Sequence, residues 1–241
     1  MENSLVKNLI EEKSIRLKGR IYHKLQVDFT YNSNHIEGSK LTEEQTRYIF
    51  ETNTIDTEGC IRVDDIIETC NHFICIDFVL DHIYDELTEE YIKKLHEILK
   101  MGTKDSTYEW FNVGDYKKKV NVVGNIKTVS PKKVPKEMKK LLENYSKKDK
   151  ITIEDIVEFH YNFETIHPFQ DGNGRVGRLI MLKECLKNNI VPFVITENIK
   201  INYYRGLLMW KEEKGYLIET CKFAQDKFKE DLDYFEIKYE E

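Results

Sequence analysis

The stretch HPFQDGNGRVGR, from His167 to Arg178, decides how the rest of the chain is organised. It places a histidine, a carboxylate, two closely spaced glycines and two arginines within twelve residues. Core packing does not explain these polar groups together, although each alone has a structural explanation. The stretch is therefore predicted to be a functional loop, which the other segments hold in place.

Helical patterns flank the loop on both sides. Apolar residues recur at helical spacing from Thr152 to Ile166 and again from Leu179 to Leu186. Pro168 disfavours a helical conformation at the residue before it, so the first helix should end at or before His167. A histidine at a helix end can point outward and titrate near neutral pH, which suits a general base.

The other loop residues suit a multivalent anion. Asp171 offers a single carboxylate, and Mg²⁺ commonly binds one or two carboxylates together with phosphates and water. Gly172 and Gly174 let backbone N–H groups turn towards an anion at the start of the next helix. Arg175 and Arg178 are three residues apart on one helix face, where they can bind several oxygens. The loop therefore predicts phosphoryl or nucleotidyl transfer.

Composition fits a helical, charged-surfaced protein. Of the 241 residues, 40% are hydrophobic and 33% are charged, with only 4 prolines. The net charge of −6 argues against a general nucleic-acid binder. The five cysteines form no C-x-x-C pair, so we expect reduced thiols and no zinc site. Because no signal peptide or membrane-length apolar run is evident, we expect a cytoplasmic protein without membrane contacts.

The remaining chain is also predicted to be helical, with one exception. Capping patterns begin helices at Thr42, Thr88 and Thr152. Predicted helices run approximately over residues 5–18, 17–36, 42–52, 63–84, 89–99, 136–145, 201–210 and 216–235. The exception is a pair of β-branched runs around Gly124-Asn125, which predicts a two-residue hairpin from Val120 to Val129. The exposed strand edge of such a hairpin either packs on helices or binds an extended peptide, and both interpretations stay open.

The loop resembles the signature of Fic (Fido) domains, H-P-F-x-D/N-G-N-G-R-x-x-R, at every fixed position. Similarity in layout runs from about Leu87 to Phe223, and Lys117 stands where the family usually has an arginine. The resemblance implies an all-α fold, a helical bundle with one β-hairpin flap. It divides the chain into an N-terminal helical segment (1–86), a catalytic core (87–223) and a C-terminal helix with an acidic tail (224–241).

The resemblance implies a protein adenylyltransferase that moves AMP from ATP to a Ser, Thr or Tyr hydroxyl of a target protein or of itself. By that analogy His167 is the base, and Asp171 holds Mg²⁺ or Mn²⁺. Tyr203 and Tyr204 contact adenine in this interpretation, or else simply pack in the core. The expected ATP contacts are Gly172, Asn173, Gly174, Arg175, Arg178, Tyr203 and Tyr204. The expected target-binding flap residues are Val120, Val122, Val123, Ile126 and Thr128.

An N-terminal segment resembles the inhibitory motif of the same family, S/T-x-x-x-E-G/N. Ser33 and Glu37 are four residues apart, so both project from one face of a helix. The resemblance implies that Glu37 pairs with Arg178. A carboxylate there would displace the γ-phosphate and inhibit the enzyme.

Other functions are compatible with the same residues. The reverse reaction, removal of AMP, and transfer of UMP, phosphocholine or the γ-phosphate use similar chemistry. A catalytically idle nucleotide-binding regulatory module belongs to another class, but it would need neither His167 nor Asp171. The target protein and self-association into a homo-oligomer stay open.

Overall fold

A computed structural model of the chain describes residues 4–57, 59–123 and 126–239. Within those residues the regular secondary structure is almost entirely helical, which confirms the predicted fold class. Ten α-helices follow in chain order: α1 Ser4–Ser14, α2 Ile21–Ile36, α3 Glu43–Thr52, α4 Val63–Asp81, α5 Glu89–Lys100, α6 Val134–Ser146, α7 Ile153–Ile166, α8 Asn173–Lys187, α9 Lys200–Met209 and α10 Gly215–Tyr234. The described residues also form strands β1 Val122–Val123 and β2 Ile126–Lys127, and 3₁₀ turns at Asp105–Thr107, Pro131–Lys133 and Glu197–Ile199.

Local signals fix several helix ends. The predicted capping box at Thr42 is present, since its hydroxyl accepts the Gln45 N–H at 3.1 Å and the Gln45 side chain accepts the Thr42 N–H at 3.0 Å. Helix α2 begins at Ile21 and not near residue 17 as predicted. The reason is Gly19, whose φ of +71° turns the chain before the helix starts.

Helix α8 lies at the centre of the molecule, where α7, α5, α4 and α2 pack around it. The leucines predicted to face inward, Leu179, Leu182 and Leu186, are buried. Arg175 and Arg178 are buried as well, each less than 5% exposed, because the surrounding helices leave α8 no solvent face. Both arginines therefore need buried partners.

The hairpin lies against the loop that precedes α8. Its strands are antiparallel and pair Val122 with Lys127 and Val123 with Ile126. The predicted turn residues, 124 and 125, lie outside the described residues.

Several hydrogen bonds join the base of the hairpin to the loop, and the two shortest start from Lys117 and Asn121. The Lys117 N–H donates to the Pro168 carbonyl at 2.9 Å. The Asn121 side-chain amide donates to the Phe169 carbonyl at 3.0 Å. The hairpin is therefore positioned beside His167 by contacts with the two residues that follow it.

The C-terminal residues belong to the main core. The predicted boundary between residues 223 and 224 falls inside α10, which is continuous there. Phe228 and Leu232 on this helix are buried in the same cluster as Ile21 and Leu25 of α2. Among the described residues, no helix is both long and apolar enough to cross a membrane.

Candidate active site

His167 lies at the C-terminal end of α7, as Pro168 predicted. Its backbone is left-handed, with φ +52°, and its N–H donates to the Phe163 carbonyl at 2.8 Å. The side chain is 17% exposed, and Nδ1 lies 3.8 Å from Oε2 of Glu164. Burial and the charge of Lys117 lower the pKa of His167 to about 4. The expectation of titration near neutral pH is therefore wrong, and the imidazole is neutral at pH 7, the form that a general base requires.

Asn173 closes the loop onto itself. Its Oδ1 accepts the Phe169 N–H at 2.8 Å, and its Nδ2 donates to the Phe169 carbonyl at 3.0 Å. The side chain is buried and both ends are occupied, so in this conformation it shapes the loop and does not face a ligand. Gly172 precedes it with φ +78°, a backbone conformation that favours glycine.

Asp171 belongs to a network of alternating charges. Its Oδ2 accepts hydrogen bonds from Lys100 Nζ at 2.7 Å and from Arg175 Nη2 at 3.1 Å. Glu68 of α4 pairs with the same two cations, Lys100 and Arg175. Burial acts to raise the pKa of Asp171, but the charges of Arg175 and Lys100 hold it well below its usual range. The carboxylate is therefore ionised at any physiological pH.

No sequence pattern predicted Lys100 or Glu68 as site residues, because charged residues on α4 and α5 resemble ordinary surface positions. The structure brings both to a polar cavity of about 170 Å³. Its walls include Glu37, Asp171 and Arg175. Helices from both sides of the predicted boundary at residue 86 therefore build this cavity.

Asp171 is the metal ligand that the sequence predicts, and other carboxylates, among them Glu37 and Glu68, line the same cavity. Within the described residues, no three His, Cys, Asp or Glu side chains come together as a metal site. The Asp171 side chain is 47% exposed, which leaves it accessible from the cavity. One or two carboxylates suit Mg²⁺ that takes its other ligands from phosphates and water. The residues fit the ion in that way, as a partner of a bound nucleotide.

Arg178 is held by the N-terminal segment. Its Nη2 donates to Oε1 of Glu37 at 2.8 Å and to the Ser33 carbonyl at 2.9 Å, and its Nε donates to the Ser33 hydroxyl at 3.0 Å. Burial opposes the charge of the guanidinium, but Glu37 holds the pKa of Arg178 above its usual range. The two residues of the predicted inhibitory motif thus both contact this arginine.

The Glu37 carboxylate also lies against the start of α8. A Cβ built on Gly174 would lie 2.2 Å from Glu37 Oε1 and 3.0 Å from Arg178 Nη1. Only a glycine leaves room for a carboxylate at this position. An anionic group therefore occupies the helix N-terminus at which the sequence predicts a phosphate site.

Glu164 is a further site residue that no sequence pattern predicted. Burial, together with the charge of Glu37, raises its pKa to about 8, so it is mostly protonated at pH 7. Its Oε1 has no hydrogen-bond partner among the described residues. Gly177 makes room for it, since a Cβ there would lie 3.0 Å from that oxygen and 2.7 Å from His160 Nδ1.

The two tyrosines predicted to contact adenine differ. Tyr203 is 1% exposed, and its hydroxyl shares a 2.7 Å hydrogen bond with His160 Nε2. Its burial makes it a core residue in this conformation and argues against an adenine contact. Tyr204 is 44% exposed and its hydroxyl donates to the Ile36 carbonyl at 3.4 Å. An adenine contact by Tyr204 stays a prediction.

The predicted flap residues differ in their exposure to solvent. Val120 and Val122 are exposed, as a target-binding role requires. Thr128 faces inward, because its hydroxyl donates to Asn121 Oδ1 at 2.6 Å. Val123 and Ile126 lie in the paired strands, but their side chains are outside what the structure describes.

Lys117 anchors the hairpin from inside. Its Nζ donates to Asn121 Oδ1 at 2.7 Å, to the Thr128 hydroxyl at 2.6 Å and to the Ile166 carbonyl at 3.4 Å. Burial lowers the pKa of Lys117 to about 8. A buried lysine with neutral acceptors thus connects the hairpin to the residue before His167.

Comparisons with known proteins find similar sequences and structures. Residues 86–185 match the Fic/DOC family. The protein adenylyltransferase fic-1 of Caenorhabditis elegans is 25% identical over 185 residues, which cover 74% of this chain and 35% of the relative. Protein adenylyltransferase Fic of Drosophila erecta is 25% identical over 211 residues, covering 85% of this chain and 41% of the relative. The chain thus spans well under half the length of these curated relatives.

Solved structures share the fold. A Fic-domain signaling protein from Bacteroides thetaiotaomicron superposes with a TM-score of 0.74 at 24% identity, covering 96% of this chain and 94% of that one. A fragment of Fic-1 from C. elegans gives a TM-score of 0.70 at 20% identity, covering 96% of this chain and 70% of that one. At these identities the comparison speaks for the fold alone.

Proposed function

Because residues 86–185 match the Fic/DOC family, we propose that the chain is a protein adenylyltransferase. It transfers AMP from ATP to a Ser, Thr or Tyr hydroxyl of a target protein or of itself. The observation that carries the proposal is the Glu37 carboxylate against Gly174 and Arg178. That contact supports an oxyanion site at the start of α8, a few residues from a neutral histidine.

The proposed reaction uses the residues in distinct roles. The neutral imidazole of His167 accepts the proton of the target hydroxyl, and the hydroxyl oxygen forms a bond to the α-phosphorus of ATP. The bond from that phosphorus to the bridging oxygen breaks, and pyrophosphate leaves. Arg175 and Arg178 stabilise the negative charge of the leaving group. Asp171 would hold Mg²⁺ or Mn²⁺, which neutralises phosphate charge when bound.

Autoinhibition is part of the same proposal. Arg178 cannot serve Glu37 and a γ-phosphate at the same time, because both are anions that need the same guanidinium edge. With Glu37 in place, ATP either binds weakly or binds with its phosphates displaced. A displacement of about 1 Å can lower a rate on the order of 100-fold.

The test is to identify the transferred group. The full chain, Glu37→Gly and His167→Ala are incubated in a cell extract with each nucleoside triphosphate and Mg²⁺ or Mn²⁺. Mass spectrometry of the modified proteins should show AMP from ATP, more of it with Glu37→Gly, and none with His167→Ala. Addition of UMP or of a single phosphate above the level in extract alone would favour another transferase, and no addition by any form would favour an idle nucleotide-binding module.

A further inference from the structure

Positive charge is concentrated around the hairpin. Residues 111–150 contain 12 lysines and 4 acidic residues. The other residues contain 39 of the 43 acidic residues but only 25 of the 37 basic ones. A basic segment in a chain of net charge −6 is an interaction feature that the catalytic chemistry does not require.

Four of these lysines lie at the base of the hairpin, and we call them the hairpin-base lysines: Lys118, Lys119, Lys132 and Lys133. The first two precede β1 and the last two follow β2. Antiparallel pairing of Val122 with Lys127 brings the two ends of the hairpin together. All four side chains are exposed. The four lysines therefore lie at the two ends of the hairpin, and the first end is hydrogen-bonded to the His167 loop.

These lysines are not neutralised by the protein. None of the four forms an ion pair with an acidic residue of the part of the chain that the structure describes. Lys119 Nζ instead lies 4.7 Å from the centre of the Trp110 ring, and Trp110 stacks on Tyr108. Each of these two rings is 39% exposed. Lys118 Nζ donates to the Glu109 carbonyl at 3.4 Å. Exposed ammonium groups without an acidic partner can bind an anionic partner molecule.

We propose that the hairpin-base lysines bind an acidic segment of the protein target, next to the hydroxyl that accepts AMP. The inference rests on the proposed function and specifies its substrate class. Exposed Val120 and Val122 on the hairpin suit an extended peptide, whose acidic side chains would then meet the lysines at its base. A nucleic acid fits less well, because the acidic remainder of the chain would repel a long polyanion.

The test measures peptide binding without nucleotide. A fluorescent peptide with one threonine flanked by aspartates is titrated with the full chain, and fluorescence anisotropy is recorded. A matched peptide has asparagines in place of the aspartates, and a labelled DNA duplex is titrated in parallel.

A charge-matched variant controls for the location of the lysines. Lys132→Glu/Lys133→Glu is compared with Lys147→Glu/Lys150→Glu, which makes the same charge change beyond the far end of α6, about 20 Å away. Thermal melting checks that all forms are folded.

The acidic peptide should bind about tenfold more tightly than the neutral one, and added salt should weaken the binding of the acidic peptide. Lys132→Glu/Lys133→Glu should lose about tenfold in affinity, while the control variant keeps the parent affinity. Equal affinity for both peptides, equal loss in both variants, or tighter binding of the DNA duplex would overturn the proposal. Because no ATP is present, an inactive enzyme does not alter this result, and failure to transfer AMP would refute the proposed function separately.

Discussion

Replacing Glu37 with glycine should make the protein less stable and a better ATP binder at once. Glu37 gives the buried Arg178 a carboxylate partner at 2.8 Å, so its loss removes a charge-assisted hydrogen bond. The same loss frees the guanidinium for a phosphate. Glu37 follows the last residue of α2, so glycine there adds little helical penalty.

The size of both effects follows from this contact. A hydrogen bond to a charged group contributes about 1.5–3 kcal/mol. Arg178 keeps its two contacts with Ser33, so the free energy of unfolding should fall by about 1.5 kcal/mol, at the lower end. If ATP must displace Glu37 from Arg178 in the parent, removal of a contact of that free energy should make ATP binding to Glu37→Gly roughly 10-fold tighter.

The assay is thermal unfolding and calorimetric ATP titration of the parent, Glu37→Gly and Glu37→Gln. Both variants should melt lower without nucleotide and gain more from saturating ATP than the parent does. Glu37→Gln separates charge from size. If both variants bind ATP no more tightly than the parent and label themselves with AMP no faster, Glu37 does not compete for Arg178 and the reasoning fails.

Three further predictions concern neighbouring groups. Gly174→Ala should reduce the free energy of unfolding less in the Glu37→Gly background than in the parent, because the alanine Cβ collides with Glu37. Additive losses of the two substitutions in a double-mutant cycle, measured by denaturant unfolding, would contradict this. Because the pKa of Glu164 is raised on folding, the stability that this residue contributes is present below about pH 4.5 and is lost as the pH rises to about 8. Glu164→Gln should therefore reduce the fall in melting temperature over that pH range. An unchanged slope of melting temperature against pH would contradict this prediction. Lys117→Met should raise the pKa of His167, measured by NMR titration of its imidazole, since a nearby positive charge is removed; an unchanged pKa would refute that role of Lys117.

Local chemistry accounts for the features that could be predicted from the sequence. The capping box at Thr42, the end of α7 at His167 and the helix after Gly172 all follow from short patterns. The contact between Glu37 and Arg178 spans 141 residues, and it was accessible only through the family resemblance. The spacing on α2 predicts that Ser33 and Glu37 lie on one helix face, but it does not predict which residues that face contacts.

Tertiary packing determined what the sequence could not predict. Lys100 and Glu68 lie on helices whose charges look like surface residues, and only the packing of α4 and α5 around α8 buries them. The pKa of His167 depends in the same way on burial and on Lys117, which is distant in sequence. Tyr203 was ambiguous because a helical aromatic can face the core or a ligand.

The most direct test of AMP transfer is the fate of the α-phosphate. Glu37→Gly is incubated in a cell extract with Mg²⁺ and ATP radiolabelled at either the α- or the γ-phosphate, with and without the additional change His167→Ala. Relative to extract alone, in which endogenous kinases already use the γ-phosphate, we predict additional protein labelling from the α-phosphate only, and none once His167 is replaced. Additional labelling from the γ-phosphate, or equal additional labelling without His167, would contradict the account.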